Sequence, residues 1–246
     1  MKLAFKIQYK GTNYSGFQSQ KNANSIQDEL IRAFKEISVD SVQMNYSGRT
    51  DKGVHALGQV FDLVVSQDRS DMQWINGLNS NLPNDISVVD VERVEDSFHS
   101  RFDAIDRTYS YLIFNSPSRN VLLDDFYYWE QAELDIKKMN DESKCLVGKN
   151  DFTSFRSLSC GSNNPVRNIK KIEINKLGNI IEIKITANAF LQNMVRIIVG
   201  TLLEIGKYQI KIPLKEILES KDRNNAGTTI NPVSYTHLTL PTRCLV

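Results

Sequence analysis

The chain opens on a clean alternation, Leu3, Phe5, Ile7 and Tyr9 against polar neighbours, which is the period of a half-buried strand. Periodicity changes at "SIQDELIRAFKEI". There Ile26, Leu30, Ala33, Phe34 and Ile37 recur at helical spacing, and Ser25 with Asp28 suits a capping box. Beyond a polar stretch, "LGQVFDLVV" reads as a strand, "DMQWINGLN" as a short helix and "DISVVDVERV" as another strand. The order strand, helix, strand, strand, helix, strand fits a split ferredoxin-like unit, in which helices cover one face of an antiparallel sheet.

A second unit is expected from Asp106. "RTYSYLIF" reads as a strand, "LDIKKMNDESKCLVG" as a helix, "IKKIEINK" and "IIEIKITA" as a hairpin around Leu177-Gly178-Asn179, and "AFLQNMVRIIVGTLLEIG" as a long helix. The fold class is therefore α+β: two ferredoxin-like-type subdomains with antiparallel sheets, residues 1–105 and 106–232, joined across a central cleft. Such a cleft is the expected meeting place of Asp51 and the strand that follows Asp106.

Composition adds exclusions. Hydrophobic residues at 41% and charged residues at 24% of 246 are those of a globular chain, not of a disordered or fibrous one. A net charge of +1 means that any polyanionic partner must be drawn by local clusters of Lys and Arg. Cys145, Cys160 and Cys244 are odd in number and lack C-x-x-C spacing, which supports neither a disulfide framework nor a zinc site. No apolar run approaches the roughly 20 residues of a membrane span. A cytoplasmic protein without metal or membrane partner is the expectation.

The candidate chemistry centres on "YSGRTDKGVHALGQVFDL", residues 46 to 63. Asp51 before Lys52-Gly53 has two readings. It is an ordinary turn carboxylate bonded to nearby backbone, or a nucleophile kept ionised by the Arg49 guanidinium. His55 is read as a structural hydrogen-bonding residue rather than a base, and His99 is ambiguous, with Arg101 beside it a possible phosphate contact. Tyr109 and Tyr111 share one strand face, where they either pack in the core or offer a ring to an unstacked base. Arg196 lies among Met194, Val195, Ile197 and Ile198, so its charge must snorkel to solvent or meet an anion. Arg156, Arg167, Lys170 and Lys171 gather in a Ser- and Asn-rich stretch suited to a phosphate backbone, although such a run is usually a solvated loop. Neither a P-loop nor an H-E-x-x-H pattern is present.

Together these stretches resemble one family. "GRTDKGVHALGQVFDL" is similar to the central motif of the tRNA pseudouridine synthase A family, and "YKGTNYSGFQSQ", "FHSRFDAIDRTYSY", "DFTSFR" and "NAFLQNMVRIIVG" resemble its other signatures in the same order, from residue 1 to about residue 232. The resemblance implies isomerisation of uridine to pseudouridine at positions 38, 39 and 40 of the tRNA anticodon arm, by a homodimer without cofactor. It implies Asp51 as the nucleophilic carboxylate, Arg49 and Arg196 as the groups that orient it and hold it anionic, and Tyr109 as the ring that stacks on the target base. Arg101, Arg156, Arg167 and Lys170 are the further tRNA contacts expected. A noncatalytic RNA-binding protein of the same fold is the competing class, and a glycoside hydrolase is disfavoured because no second carboxylic acid stands out.

Two small departures from the pattern are Phe17 in place of tryptophan and Lys10 in place of an acidic residue. The larger one is the end of the chain. Residues 233–246 run "VSYTHLTLPTRCLV" and match nothing in the pattern, and Pro241 with weak alternation argues against a well-paired strand, so a non-native tail is one reading and divergence the other.

Overall fold

The computed structural model describes residues 1–39, 41–232 and 235–239. The described chain divides into two compact units, Met1–Ile105 joined by residues 236–239, and Asp106–Tyr235.

In the first unit the order is β1 (Lys2–Tyr9), α1 (Ile26–Glu36), β2 (Met44–Tyr46), β3 (His55–Val64), α2 (Asp71–Asn79) and β4 (Ile86–Val94). β1 lies between β3 and β4 and is antiparallel to both, and β2 adds to β3 in antiparallel fashion. Phe5 of β1 stacks on Phe61 of β3 at 5.1 Å, and both meet the edge of Phe34 from α1. Trp74 from α2 closes this cluster, so the two helices cover the same sheet face. Burial of these rings is the main driving force of the unit, since each aromatic removes on the order of 200 Å² from water.

The helix caps differ from the expected one. Ser25 accepts from the Asp28 N–H, but its hydroxyl donates to the Asp28 carboxylate at 2.6 Å, so that carboxylate is used within the pair. The reciprocal box forms instead on α2, where Ser70 and Gln73 satisfy each other's backbone N–H.

β3 is buried on nearly its whole length and exposes only Leu57 and Val64. Its pairing slips by one residue: Ile7 faces Gln59 while Tyr9 faces Ala56. On the other edge the same slip recurs, so Leu57 is the extra residue of a β-bulge near the start of the strand.

The second unit comprises β5 (Arg107–Asn115), β6 (Tyr128–Glu130), α3 (Ile136–Ser143), β7 (Gly148–Asp151), β8 (Val166–Leu177), β9 (Ile180–Ala187), α4 (Met194–Gly206) and α5 (Leu214–Ser220). β5 pairs with β9, β9 with β8 and β8 with β7, all antiparallel, and β6 runs parallel to β5. The hairpin turns where expected, with Leu177 opposite Ile180. α4 starts at Met194, five residues later than the apolar run suggests, because Asn193 takes a left-handed conformation at φ 61 and caps it. Among its thirteen residues only Arg196 and Glu204 escape full burial.

The expectation that the end of the chain holds no paired strand is corrected for residues 235–239. Tyr235–Thr239 forms β10, which runs parallel to β3 with Thr236 opposite His55, His237 opposite Ala56 and Leu238 opposite Gly58. Backbone pairing does not require strict alternation, and Tyr and Thr suit a pleated backbone. Pro241 lies outside the described residues. β2 covers β3 at residues 61–63 and β10 covers it at residues 55–58, so the two divide one edge between them. A variant ending at Pro232 exposes the first half of that edge. Its urea midpoint is expected to fall by the equivalent of about 2 kcal/mol; an unchanged midpoint would show that β10 contributes no stability.

Candidate active site

The loop from Ser47 to Val54 is held from three sides. The Ser47 N–H donates to Val60 O at 2.9 Å, and Gln59 Nε2 donates to Gly48 O at 2.6 Å, which ties the start of the loop to β3. Thr50 turns inward, 6% exposed, and its Oγ1 lies 2.8 Å from the Tyr9 hydroxyl at the end of β1. Its carbonyl accepts from the Phe17 N–H at 3.2 Å. Past Asp51 the chain turns sharply: the Asp51 carbonyl accepts from the Val54 N–H and the Gly53 N–H donates to Tyr14 O. Arg49, Asp51 and Lys52 are exposed while Thr50 is buried between them. The backbone is thus fixed on both sides of Asp51, an exposed residue.

Two motifs that look separate in the sequence are one structure here. "YKGTNYSGFQSQ" wraps the GRTD loop, and its first two glycines are there because the loop comes too close for a side chain. A Cβ on Gly11 would lie 1.9 Å from Val54 O, and one on Gly16, whose φ is +98°, 2.5 Å from Thr50 O. Tyr14 of the same stretch donates to Asp85 at 2.5 Å, and burial followed by the Asp85 carboxylate raises its phenol above the ordinary tyrosine range. His55 is buried, and its Nδ1 accepts from the Gly11 N–H at 3.0 Å, which puts the proton of a neutral ring on Nε2. That bond accords with the structural reading of His55.

Not among the expected site residues is Asp62, a fully buried carboxylate on β3. It accepts from the Ser100 N–H at 2.7 Å and from Asn45 Nδ2 at 3.0 Å, with Lys2 Nζ at 3.4 Å. A buried charge needs such partners, and here they anchor the "FHSRFD" turn. Within that turn His99 Nδ1 accepts from the Arg101 N–H, and the exposed Arg101 guanidinium lies 5.7 Å from the Phe102 ring. An acidic residue inside an apolar strand was the available signal.

In the second unit Tyr109 is 7% exposed and packs edge-on against Phe190 at 4.9 Å. Tyr111 is fully buried, and its hydroxyl donates to Asn231 O at 2.9 Å. Arg196 Nε donates to the neighbouring carbonyl of Ile230 at 2.7 Å, and its Nη1 to Asn193 Oδ1 at 2.8 Å. "RTYSY" and "NAFLQNMVRIIVG" therefore converge on residues 230–231. A cation in the first turn of a helix opposes the macrodipole, and these two of its partners are neutral, so the position favours an anion nearby.

The basic stretch is less open than its charges suggest. Arg167 turns back on its own loop, donating to Asn164 O, Val166 O and Ser162 Oγ, and burial lowers its pKa from the usual guanidinium value. Arg156 donates to Ser162 O at 3.2 Å. Lys170 is exposed and paired with Asp106 at 2.7 Å, and Lys171 with Glu173 at 2.9 Å. Among the described residues no group of three or more His, Cys, Asp or Glu side chains is arranged to hold a metal ion, and no helix is long and apolar enough to cross a membrane.

The chain is thus an α+β protein whose first unit carries the exposed Asp51 on a clamped loop. The sequence profile described as "tRNA pseudouridine synthase" matches residues 6–103 and 143–239. Relatives named tRNA pseudouridine synthase A include those of Hydrogenovibrio crunogenus, 42% identical over 92% of this chain and 87% of that one, and Francisella philomiragia, 43% identical over 91% and 87%. The chain belongs to the tRNA pseudouridine synthase A family, enzymes that isomerise uridine to pseudouridine in tRNA. The matched residues hold Arg49, Asp51, Arg101, Arg156, Arg167, Lys170 and Arg196, whereas Tyr109 falls between the two matched stretches. They also reach residue 239, past the expected limit of about 232 and to the end of β10.

Proposed function

We propose that this chain forms pseudouridine at positions 38, 39 and 40 of the tRNA anticodon stem-loop, with Asp51 as nucleophile, acting as a cytoplasmic homodimer. The observation that carries the reading is the exposed Asp51 side chain on a backbone fixed by its neighbours on both sides. In the reaction the bond from the ribose to N1 breaks, the uracil turns, a bond forms from the ribose to C5, and the C5 proton leaves as N1 gains one. Reactant and product hold the same atoms, so the chemistry calls for no hydride carrier, group donor or metal.

Asp51 attacks as the anion; Arg49 and Arg196 orient it and hold it ionised. Tyr109 stacks on the base and assists removal of the C5 proton. A uridine within a stem must leave the stack, at a cost of a few kcal/mol that contacts elsewhere on the RNA offset. Exposed Arg101 and Lys170 meet phosphates, and Arg156 and Arg167 contribute charge while bracing the loop that leads to Lys170. A second protomer enlarges the positive surface of a chain whose own net charge is +1.

Incubation with unmodified tRNA, followed by pseudouridine mapping, tests the reading. Pseudouridine at 38, 39 or 40 is the expected outcome. Modification confined to another arm would move the substrate site, and none in any tRNA would favour a noncatalytic RNA-binding role.

A further inference from the structure

The loop that carries Asp51 is fastened most firmly at the residue just before it. Thr50 has its hydroxyl and its carbonyl engaged, Oγ1 with the Tyr9 hydroxyl and the carbonyl with the Phe17 N–H. These bonds lead in different directions, the first to the end of β1 and the second to the stretch that precedes α1. The peptide plane between Thr50 and Asp51 is therefore set by two independent anchors. Tyr9 is itself rigid: it is 4% exposed, it packs against Phe17 at 6.3 Å, and it faces Ala56 immediately beside the Leu57 bulge. Its hydroxyl reaches 41 residues along the chain to a side chain adjacent to the proposed nucleophile.

We infer that the Tyr9–Thr50 hydroxyl pair is a positioning device for Asp51, with Tyr9 and Thr50 as positioning residues that touch no reacting atom. The inference rests on the reading of Asp51 as nucleophile. With the peptide plane fixed, the carboxylate keeps only its two side-chain torsions, and both oxygens sweep a small volume. Without the bond the plane can rock about the Phe17 contact, and a displacement of 1 Å at an attacking atom costs up to about 100-fold in rate. Each single substitution keeps the packing volume but takes this bond from the other residue's buried hydroxyl, a stability cost of about 1–3 kcal/mol, so the effect on chemistry is read per folded molecule.

Thr50→Val and Tyr9→Phe each remove one hydroxyl with little change of shape. Steady-state kinetics on unmodified tRNA, with active protein counted by urea titration, are expected to show kcat lowered about tenfold or more in each, with KM within about twofold. Thr50→Ser, which keeps the hydroxyl, is expected to restore most of kcat. Because both substitutions break the same bond, the double variant should be no slower than the slower single one. Multiplying effects in the double variant, or full kcat in either single variant with folding intact, overturns the inference. A fall in urea midpoint with unchanged kcat per folded molecule assigns the pair a purely structural role and also overturns it. Asp51→Ala serves as the separate arm: if that variant still forms pseudouridine, the nucleophile reading fails, whereas an inactive Asp51→Ala beside a fully active Thr50→Val removes only the positioning role.

Discussion

Asp51→Ala is expected to form no detectable pseudouridine while binding tRNA within about tenfold of the parent, or ~1.4 kcal/mol. The two halves of this expectation have different physical sources. Chemistry is lost because the variant lacks the proposed nucleophile, while the neighbouring Thr50 Oγ1 is engaged with Tyr9 and His55 Nδ1 with the Gly11 N–H. Binding survives because the Asp51 carbonyl bond to the Val54 N–H and the neighbouring bonds of Thr50 and Gly53 remain available with alanine. The urea midpoint should shift by the equivalent of no more than about 1 kcal/mol, as for exposed substitutions generally. Mapping by chemical labelling and a filter-binding titration read the two halves independently. Pseudouridine persisting in the variant removes Asp51 from the mechanism, and a large loss of affinity would make the carboxylate a binding group.

The largest stability effect is expected at Gly11. An alanine there puts a methyl 1.9 Å from the Val54 carbonyl oxygen, a backbone atom, so either the turn after β1 or the loop must move. The same residue donates its N–H to His55, and displacement would break that bond too. Overpacking plus a lost buried hydrogen bond amounts to about 3 kcal/mol or more. Activity should fall further than stability, since Val54 closes the turn on the Asp51 carbonyl. Gly161→Ala is the matched control: a Cβ there meets nothing within 4 Å, and its midpoint should stay within about 0.5 kcal/mol of the parent. If Gly11→Ala unfolds at the same urea concentration as the parent, the loop is not clamped and the rigid presentation of Asp51 is wrong.

Legibility followed sequence distance. α1 was readable because Ile26, Leu30, Ala33 and Phe34 repeat at the helical period and Ser25 marks the start, and all four are buried. The β8–β9 hairpin was readable because both strands alternate and only two residues separate them. β6 and β7, of three and four residues, are too short to show a period, and α5 has barely two turns. The start of α4 lies later than the apolar residues suggest because Ala189–Leu191 precede the left-handed Asn193 and are not helical.

At the site, the GRTD motif marked Asp51, but nothing in the linear sequence says that Tyr9 meets Thr50 or that Asp62 holds Ser100. Such pairs arise when strands assemble, and no local propensity encodes them. Charge counting also leaves out how the basic residues are held. Arg156 and Arg167 looked like an open phosphate contact, yet their guanidiniums satisfy carbonyls and a hydroxyl of their own loop, a cost-lowering arrangement for partly buried cations.

β10 gives the order of synthesis a role. The strand edge beside the GRTD loop waits for residues 236–238, which leave the ribosome after the whole of the second unit. Until then the nascent first unit carries an open template for other chains at His55–Gly58, so a stalled or frameshifted message would yield a product prone to aggregate at the very strand that follows Asp51.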